Sequence, residues 1–126
     1  MNAQETFYRR YIDALNARTG LEEFVNEELT YNGRALSRLD YEAMIAGNFA
    51  AIPDLFFRIE LLAATDDLVA ARLFFDCTPT GEFLGMQVNG RRVAFAEHVF
   101  YTLRNGKIHE VHSLIDRSAI ANQLGR

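Results

Sequence analysis

The sequence predicts an α+β domain: helices first, then an antiparallel sheet, then a short closing helix. Three observations carry this. Apolar residues recur at helical spacing as far as Pro53, and they alternate with charged residues from Phe57 to Leu61. Turn-forming pairs, Asp66-Asp67, Asn89-Gly90 and Asn105-Gly106, then punctuate the second half. Helices segregated from an antiparallel sheet define this class.

Each element follows in order. Residues 2–19 read as a helix whose inward face is Phe7, Tyr8, Tyr11, Ile12 and Leu15, with Gly20 as its stop. A short second helix is expected next, with Leu21, Phe24 and Val25 inward, and Thr30-Tyr31-Asn32-Gly33 breaks it. Ser37 followed three residues later by Asp40 resembles a capping box and opens a third helix. Its stripe is Tyr41, Ile45, Phe49 and Ile52, and Pro53 ends it. Phe57, Ile59 and Leu61 alternate with Arg58 and Glu60 as in a strand. A second strand spans Leu68 to Phe75. Residues 78–90, with Gly81, Gly85 and Asn89-Gly90, form a loop containing a tight turn. Strands over Arg91–Leu103 and Ile108–Ile115 follow. Asp116 then begins a last helix, with Ala119, Ile120 and Leu124 inward.

Composition narrows the function. The chain has 126 residues, so a single domain over 1–126 is expected. Its 49% hydrophobic and 24% charged content is that of a soluble globular protein. The net charge is −4 with both signs interspersed, and no basic stripe marks a nucleic-acid surface. Cys77 is the sole cysteine, so no internal disulfide forms and a reducing compartment is compatible. The start, MNAQETFYRRYID, lacks the apolar core of a signal peptide, and no window is apolar for long enough to span a bilayer. A cytoplasmic protein without nucleic-acid or membrane partners is the expectation.

A set of short motifs adds a family. They are Tyr11–Asn16, Tyr31-Asn32-Gly33, Ile52–Leu55, Ala71-Arg72-Leu73, Thr80–Gly85, Asn89–Val93, Asn105–Ile108, Leu114-Ile115-Asp116 and Gln123-Leu124-Gly125. In this order and spacing, over nearly the whole chain, the sequence resembles the SnoaL-like polyketide cyclases, or ester cyclases, of the nuclear-transport-factor-2-like superfamily. The resemblance implies a cone-shaped (cystatin-like) fold in which three N-terminal helices lie against a curved antiparallel sheet. It also implies a ligand pocket inside the cone and dimerisation through the outer sheet face. Such cyclases often read Glu-His-Trp-Asp in the last strand, with the Asp as acid/base. This chain reads Glu110-Val111-His112-Ser113, so Ser113 stands at that Asp. Val99 matches an assisting His, and Cys77-Thr78-Pro79 replaces a Gly-Thr-His. A serine hydroxyl is far too weak an acid to replace a carboxylate unaided, so the ring-closing mechanism does not transfer as it stands.

The register of the last hairpin decides which polar groups share the pocket. A two-residue Asn105-Gly106 turn pairs Leu103 with Ile108 and sets His98 opposite Ser113. A three-residue loop of Arg104, Asn105 and Gly106 pairs Leu103 with Lys107, Glu97 with Ser113, Val99 with Val111 and Tyr101 with His109. The second register is preferred because it gathers Val93, Phe95, Val99, Leu103, Val111 and Ile115 on one face. Glu97, Tyr101, His109 and Ser113 then point into the cavity.

Burial lifts a carboxylate into the range useful for proton transfer, and a tyrosine hydroxyl can polarise a carbonyl oxygen. Glu97 and Tyr31 are therefore the candidate catalytic pair. Asn32, Arg72, Tyr101, His109 and Ser113 are the candidate substrate-binding residues. In the competing reading Glu97 is salt-bridged to Arg72 or Arg92, the Tyr31-Asn32-Gly33 run is a turn, and His109 is solvent-exposed at the open end. Asp116 reads as a helix cap rather than a catalyst, and Asp54 as structural. His98 and His112 are expected to face each other on the outer side near Glu110. Two imidazoles make a poor metal site, and a subunit interface that includes Phe100 fits better there. Cys77 reads as a small core residue. No nucleophilic triad, phosphate loop or dinucleotide fingerprint is present. The expectation is a homodimeric pocket protein for a small apolar or carbonyl-containing ligand. If an enzyme, it uses cofactor-free acid/base chemistry: isomerisation, cyclisation, dehydration or hydrolysis. The alternative is a non-catalytic binding or dimerisation module that has lost the cyclase Asp.

Overall fold

The computed structural model describes residues 2–125. Helix α1 spans Ala3–Ala17, and the Asn2 side chain caps it by accepting from the Glu5 amide at 2.8 Å. It ends where Arg18 turns left-handed at φ 57°. Tyr8, Tyr11, Ile12 and Leu15 form its buried stripe.

The short second helix does not form. Residues 22–24 make a turn and lead into strand β1, Val25–Tyr31, which a hairpin joins to β2, Arg34–Ser37. Asn32 at φ 49° and Gly33 at φ 84° supply the two left-handed residues that a two-residue hairpin turn needs. One helical turn over Leu21–Val25 would return little for the cost of nucleation, whereas β1 gains a ladder on each side.

Helix α2, Arg38–Ala51, opens on the expected Ser37–Asp40 capping box and is capped at Ile52, just before Pro53. Strands β3 (Arg58–Ala64) and β4 (Leu68–Cys77) follow, then a small hairpin of β5 (Glu82–Phe83) and β6 (Met86–Gln87). Strands β7 (Val93–Arg104) and β8 (Lys107–Ile115) and helix α3 (Arg117–Gln123) complete the order. Asp116 caps α3 by accepting from the Ala119 amide.

Six strands form one sheet in the order β2-β1-β8-β7-β4-β3. The sheet is mixed rather than purely antiparallel, because β1 runs parallel to β8. That pairing became possible once residues 25–31 were a strand rather than a helix. The core lies between this sheet and α1 and α2, as the α+β cone requires. Along β4, Val69, Ala71, Leu73, Phe75 and Cys77 point inward, and along β7, Val93, Phe95, Val99 and Tyr101 do the same. Cys77 is buried, and its thiol is pushed up to about 11 by loss of solvent, then by Asp54 and Asp76.

The β7–β8 register is neither of the two considered from sequence. The turn is the two-residue one: Arg104 pairs with Lys107 and Leu103 with Ile108. The ladder then slips, and Thr102 pairs with Glu110, which leaves His109 as an extra residue. Beyond this bulge Tyr101 faces Val111, Val99 faces Ser113 and Glu97 faces Ile115. The expected partners were wrong by one side-chain repeat, but the bulge restores the same faces. The physical reason is that two requirements act together. Asn105 and Gly106, both at positive φ, favour the tight turn, while the apolar set must stay inside. His98 and His112 consequently face Leu114 and Phe100, not each other.

A candidate active site inside the cone

The concave side encloses a cavity of about 200 Å³. Its walls come from α1 (Tyr11, Leu15), α2 (Tyr41, Met44, Ile45, Asn48) and the inward rows of β4, β7 and β8. Phe57, Phe75, Phe83 and Phe95 line it without filling it. Phe83 and Leu84 of the β5–β6 hairpin close one side, and the Arg117 guanidinium donates to the Leu84 carbonyl there.

Among the described residues, Glu97 is the only charged one in the lining. It stands on β7 between Phe95 and Val99, so the period-two alternation that buries those neighbours also turns its carboxylate inward. The Ser113 hydroxyl donates to it. Desolvation raises the Glu97 pKa above the ordinary carboxylate value, and the Ser113 hydrogen bond partly opposes this. Neither Arg considered from sequence reaches it. Arg72 bonds Glu60, with His98 Nε2 2.7 Å from its Nη1, and Arg92 holds Asp76 at 2.7 and 3.0 Å.

Around this carboxylate lies a layer of tyrosines. The Tyr11 and Tyr41 hydroxyls are 2.6 Å apart, and those of Tyr8 and Tyr101 are 3.0 Å apart. The Tyr31 ring lies 6.0 Å from that of Tyr41, and Tyr31 has a side-chain contact with Ser113. Burial raises the pKa of all five phenols, and the Glu97 charge adds to the rise, so each stays a neutral O–H donor. Each hydroxyl pair shares one hydrogen bond but holds two protons, so one O–H per pair is left for another acceptor.

The sequence candidates separate as follows. Glu97, Tyr31 and Tyr101 line the cavity, and Ser113 stands behind Glu97. Asn32 does not line it. Its amide clamps the Ser113 backbone, accepting from the amide at 2.8 Å and donating to the carbonyl at 3.2 Å. Arg72 lies on the outer face because it sits one residue out of phase with Leu73 on β4. His109 is the bulge residue of β8 and is outside the lining. Tyr11 and Tyr41 were read from sequence only as apolar stripe positions. The overlooked signal was the residue type: a tyrosine on a core stripe must find a partner for its hydroxyl.

Among the described residues no group of three His, Cys, Asp or Glu side chains could hold a metal ion, and no helix is long and apolar enough to cross a membrane. A carboxylate of raised pKa and neutral phenolic donors line one largely apolar cavity, the kinds of group that proton abstraction next to a carbonyl uses.

A family model for the SnoaL-like polyketide cyclases matches residues 5–124. The chain belongs to that family. It is 45% identical to a SnoaL-like polyketide cyclase from Agrobacterium tumefaciens strain C58 of known crystal structure. The two superimpose with a TM-score of 0.95 over 99% of this chain and 100% of that one. IdmH from Streptomyces antibioticus is 21% identical, with a TM-score of 0.83 over 99% of this chain and 100% of its own. TsrD from Streptomyces laurentii is 20% identical, with a TM-score of 0.85 over 99% and 97%. At that identity the two Streptomyces proteins speak for the fold alone. No curated protein matches the chain. Within this SnoaL-like frame, the Ser113 hydroxyl is bonded to a carboxylate on the neighbouring strand.

Proposed function

We propose that this SnoaL-like protein binds a small carbonyl compound in its cone and acts on it by cofactor-free acid/base chemistry, with Glu97 as the base. One observation carries the reading. Among the described residues, Glu97 is the sole charged group lining an apolar cavity, and the Ser113 hydroxyl, a neutral group, donates to it. Burial makes its carboxylate more basic than usual, which suits it to take a proton from carbon. Tyr31 and the Tyr11–Tyr41 pair, which line the same cavity, supply O–H donors for the oxyanion that forms. Isomerisation, cyclisation, dehydration and hydrolysis of a carbonyl compound all use this pattern.

The test is Glu97→Gln, with ligand binding and turnover measured side by side. Turnover should fall by about a hundredfold or more while binding persists. Unchanged turnover would remove Glu97 from the chemistry. The second reading, a non-catalytic binding module, is favoured by Ser113 at the position of the cyclase Asp. It predicts binding without turnover in the parent protein.

The outer face supports a homodimer. Phe100 and Leu114 are exposed there at 52% and 75%, with Leu61 on the same side at 65%. Light scattering should give twice the chain mass, and Phe100→Asp should return it to the monomer value.

A further inference from the structure

We propose that the cavity takes an uncharged single-ring ketone or phenol, seated with its oxygen at the Glu97 end and its ring among the phenylalanines. This rests on the reading of the Glu97 cavity as the ligand site, and it narrows the carbonyl compound to one class.

Size comes first. The cavity measures about 200 Å³. A dry apolar cavity of roughly 150 Å³ takes one benzene, so this space suits a six-membered ring with a few substituent atoms, about ten non-hydrogen atoms in all. The cavity is open on one side, and a scaffold of three or four fused rings would extend out of it. Shape agrees with size. Phe75 and Phe95 lie 5.3 Å apart at 30°, Phe83 and Phe95 lie 5.7 Å apart, and all three line the space. Their faces and edges accept a flat ring by offset or edge contact.

Charge decides the rest. Among the described residues, the lining contains Glu97 and no Lys, Arg or His. A carboxylate or phosphate ligand would meet a like charge at low dielectric with no cation to offset it. A cationic amine could pair with Glu97, but it would lose its hydration among apolar walls that offer a single carboxylate in return. A neutral oxygen fits both kinds of group present. It can accept from the O–H left over in the Tyr11–Tyr41 pair, or donate, as a phenol or enol, to the carboxylate.

The experiment titrates isotope-labelled protein at about pH 7 with three probes, where carboxylic acids are ionised. The probes are para-hydroxyacetophenone, para-hydroxybenzoate and a hydroxyanthraquinone. The first should shift the amide signals of Phe95, Glu97 and Tyr101 and bind at least about tenfold more tightly than either of the others. Met44→Trp, which projects into the cavity from the half-buried face of α2, should weaken the first probe by at least about tenfold with the circular dichroism spectrum unchanged. Equal or tighter binding of the carboxylate or of the three-ring probe would overturn the proposal, as would shifts confined to residues outside the cavity. Signal mapping on the parent protein decides this even if Met44→Trp fails to fold. The catalytic reading fails separately. Neutral-probe binding that persists while Glu97→Gln leaves turnover intact sinks the base and keeps the ligand class. Turnover of a larger or charged compound that depends on Glu97 sinks the class and keeps the base.

Discussion

Ser113 and Glu97 are bonded diagonally across the β7–β8 ladder. The Ser113 backbone pairs with Val99 and that of Glu97 with Ile115, yet the Ser113 hydroxyl donates to the Glu97 carboxylate. Diagonal neighbours on one face of an antiparallel pair are within reach of a longer side chain, and here Glu97 supplies the length. The relationship depends on the His109 bulge, because without it the two residues would lie on opposite faces.

Ser113→Ala removes the one hydrogen bond that favours the charged form of Glu97. The carboxyl pKa should then rise further. If Glu97 is the base, the acidic limb of the kcat/KM profile moves to higher pH. The pH–rate profile of the two proteins checks this, and a limb that stays in place argues against Glu97 as the titrating group.

The raised Glu97 pKa also sets a pH dependence of stability. The folded state binds the proton more tightly than the unfolded chain, so unfolding releases it between the ordinary carboxylate value and the raised one. The contribution is fully present below the unfolded value and is lost as pH rises through the folded value. Glu97→Gln should flatten that part of the stability curve. Denaturant midpoints of both proteins across the mildly acidic range would show it, and parallel curves would count against a buried, perturbed carboxyl.

Much of this was legible in the sequence. The Ser37–Asp40 box, the Pro53 stop, the Asp116 cap and the inward row of β7 are local rules, and each appears where the residues place it. The inward aim of Glu97 followed from the same row. What sequence could not reach was non-local. Residues 25–31 became a strand because β8 lay beside them to be paired, and Arg72 and Asn32 took partners far along the chain. The hydroxyl pairs of Tyr8 with Tyr101 and Tyr11 with Tyr41 join residues 93 and 30 positions apart, so no local window contains them.

Asn32 is the cleanest test of a residue that was expected to touch ligand and instead braces a strand. Asn32→Ala loses both side-chain bonds to Ser113 and puts a β-carbon residue without a polar side chain at φ 49°. A destabilisation of about 1–3 kcal/mol is expected, with KM for a cavity ligand nearly unchanged. Asn32→Gly should recover the backbone part alone. Chemical denaturation and steady-state kinetics on the two variants separate bracing from ligand contact, since a large KM change with intact stability would restore the ligand role.

Tyr41→Phe probes the tyrosine layer directly. It removes one member of the 2.6 Å pair and leaves the buried Tyr11 hydroxyl short of a partner, at a cost of about 1–3 kcal/mol. It also removes one of the pair's two O–H groups, the spare one where Tyr11 is the donor within the pair. If that proton stabilises the oxyanion, kcat falls by roughly tenfold or more while KM changes little, because the interaction strengthens only as charge develops. Tyr8→Phe breaks the other pair, and Tyr8 itself lies outside the cavity lining, so it should lower stability by a similar amount and leave kcat nearly untouched. Comparing the two variants isolates the position of the hydroxyl from the general loss of a buried hydrogen bond. Equal losses of kcat would assign both pairs to structure alone.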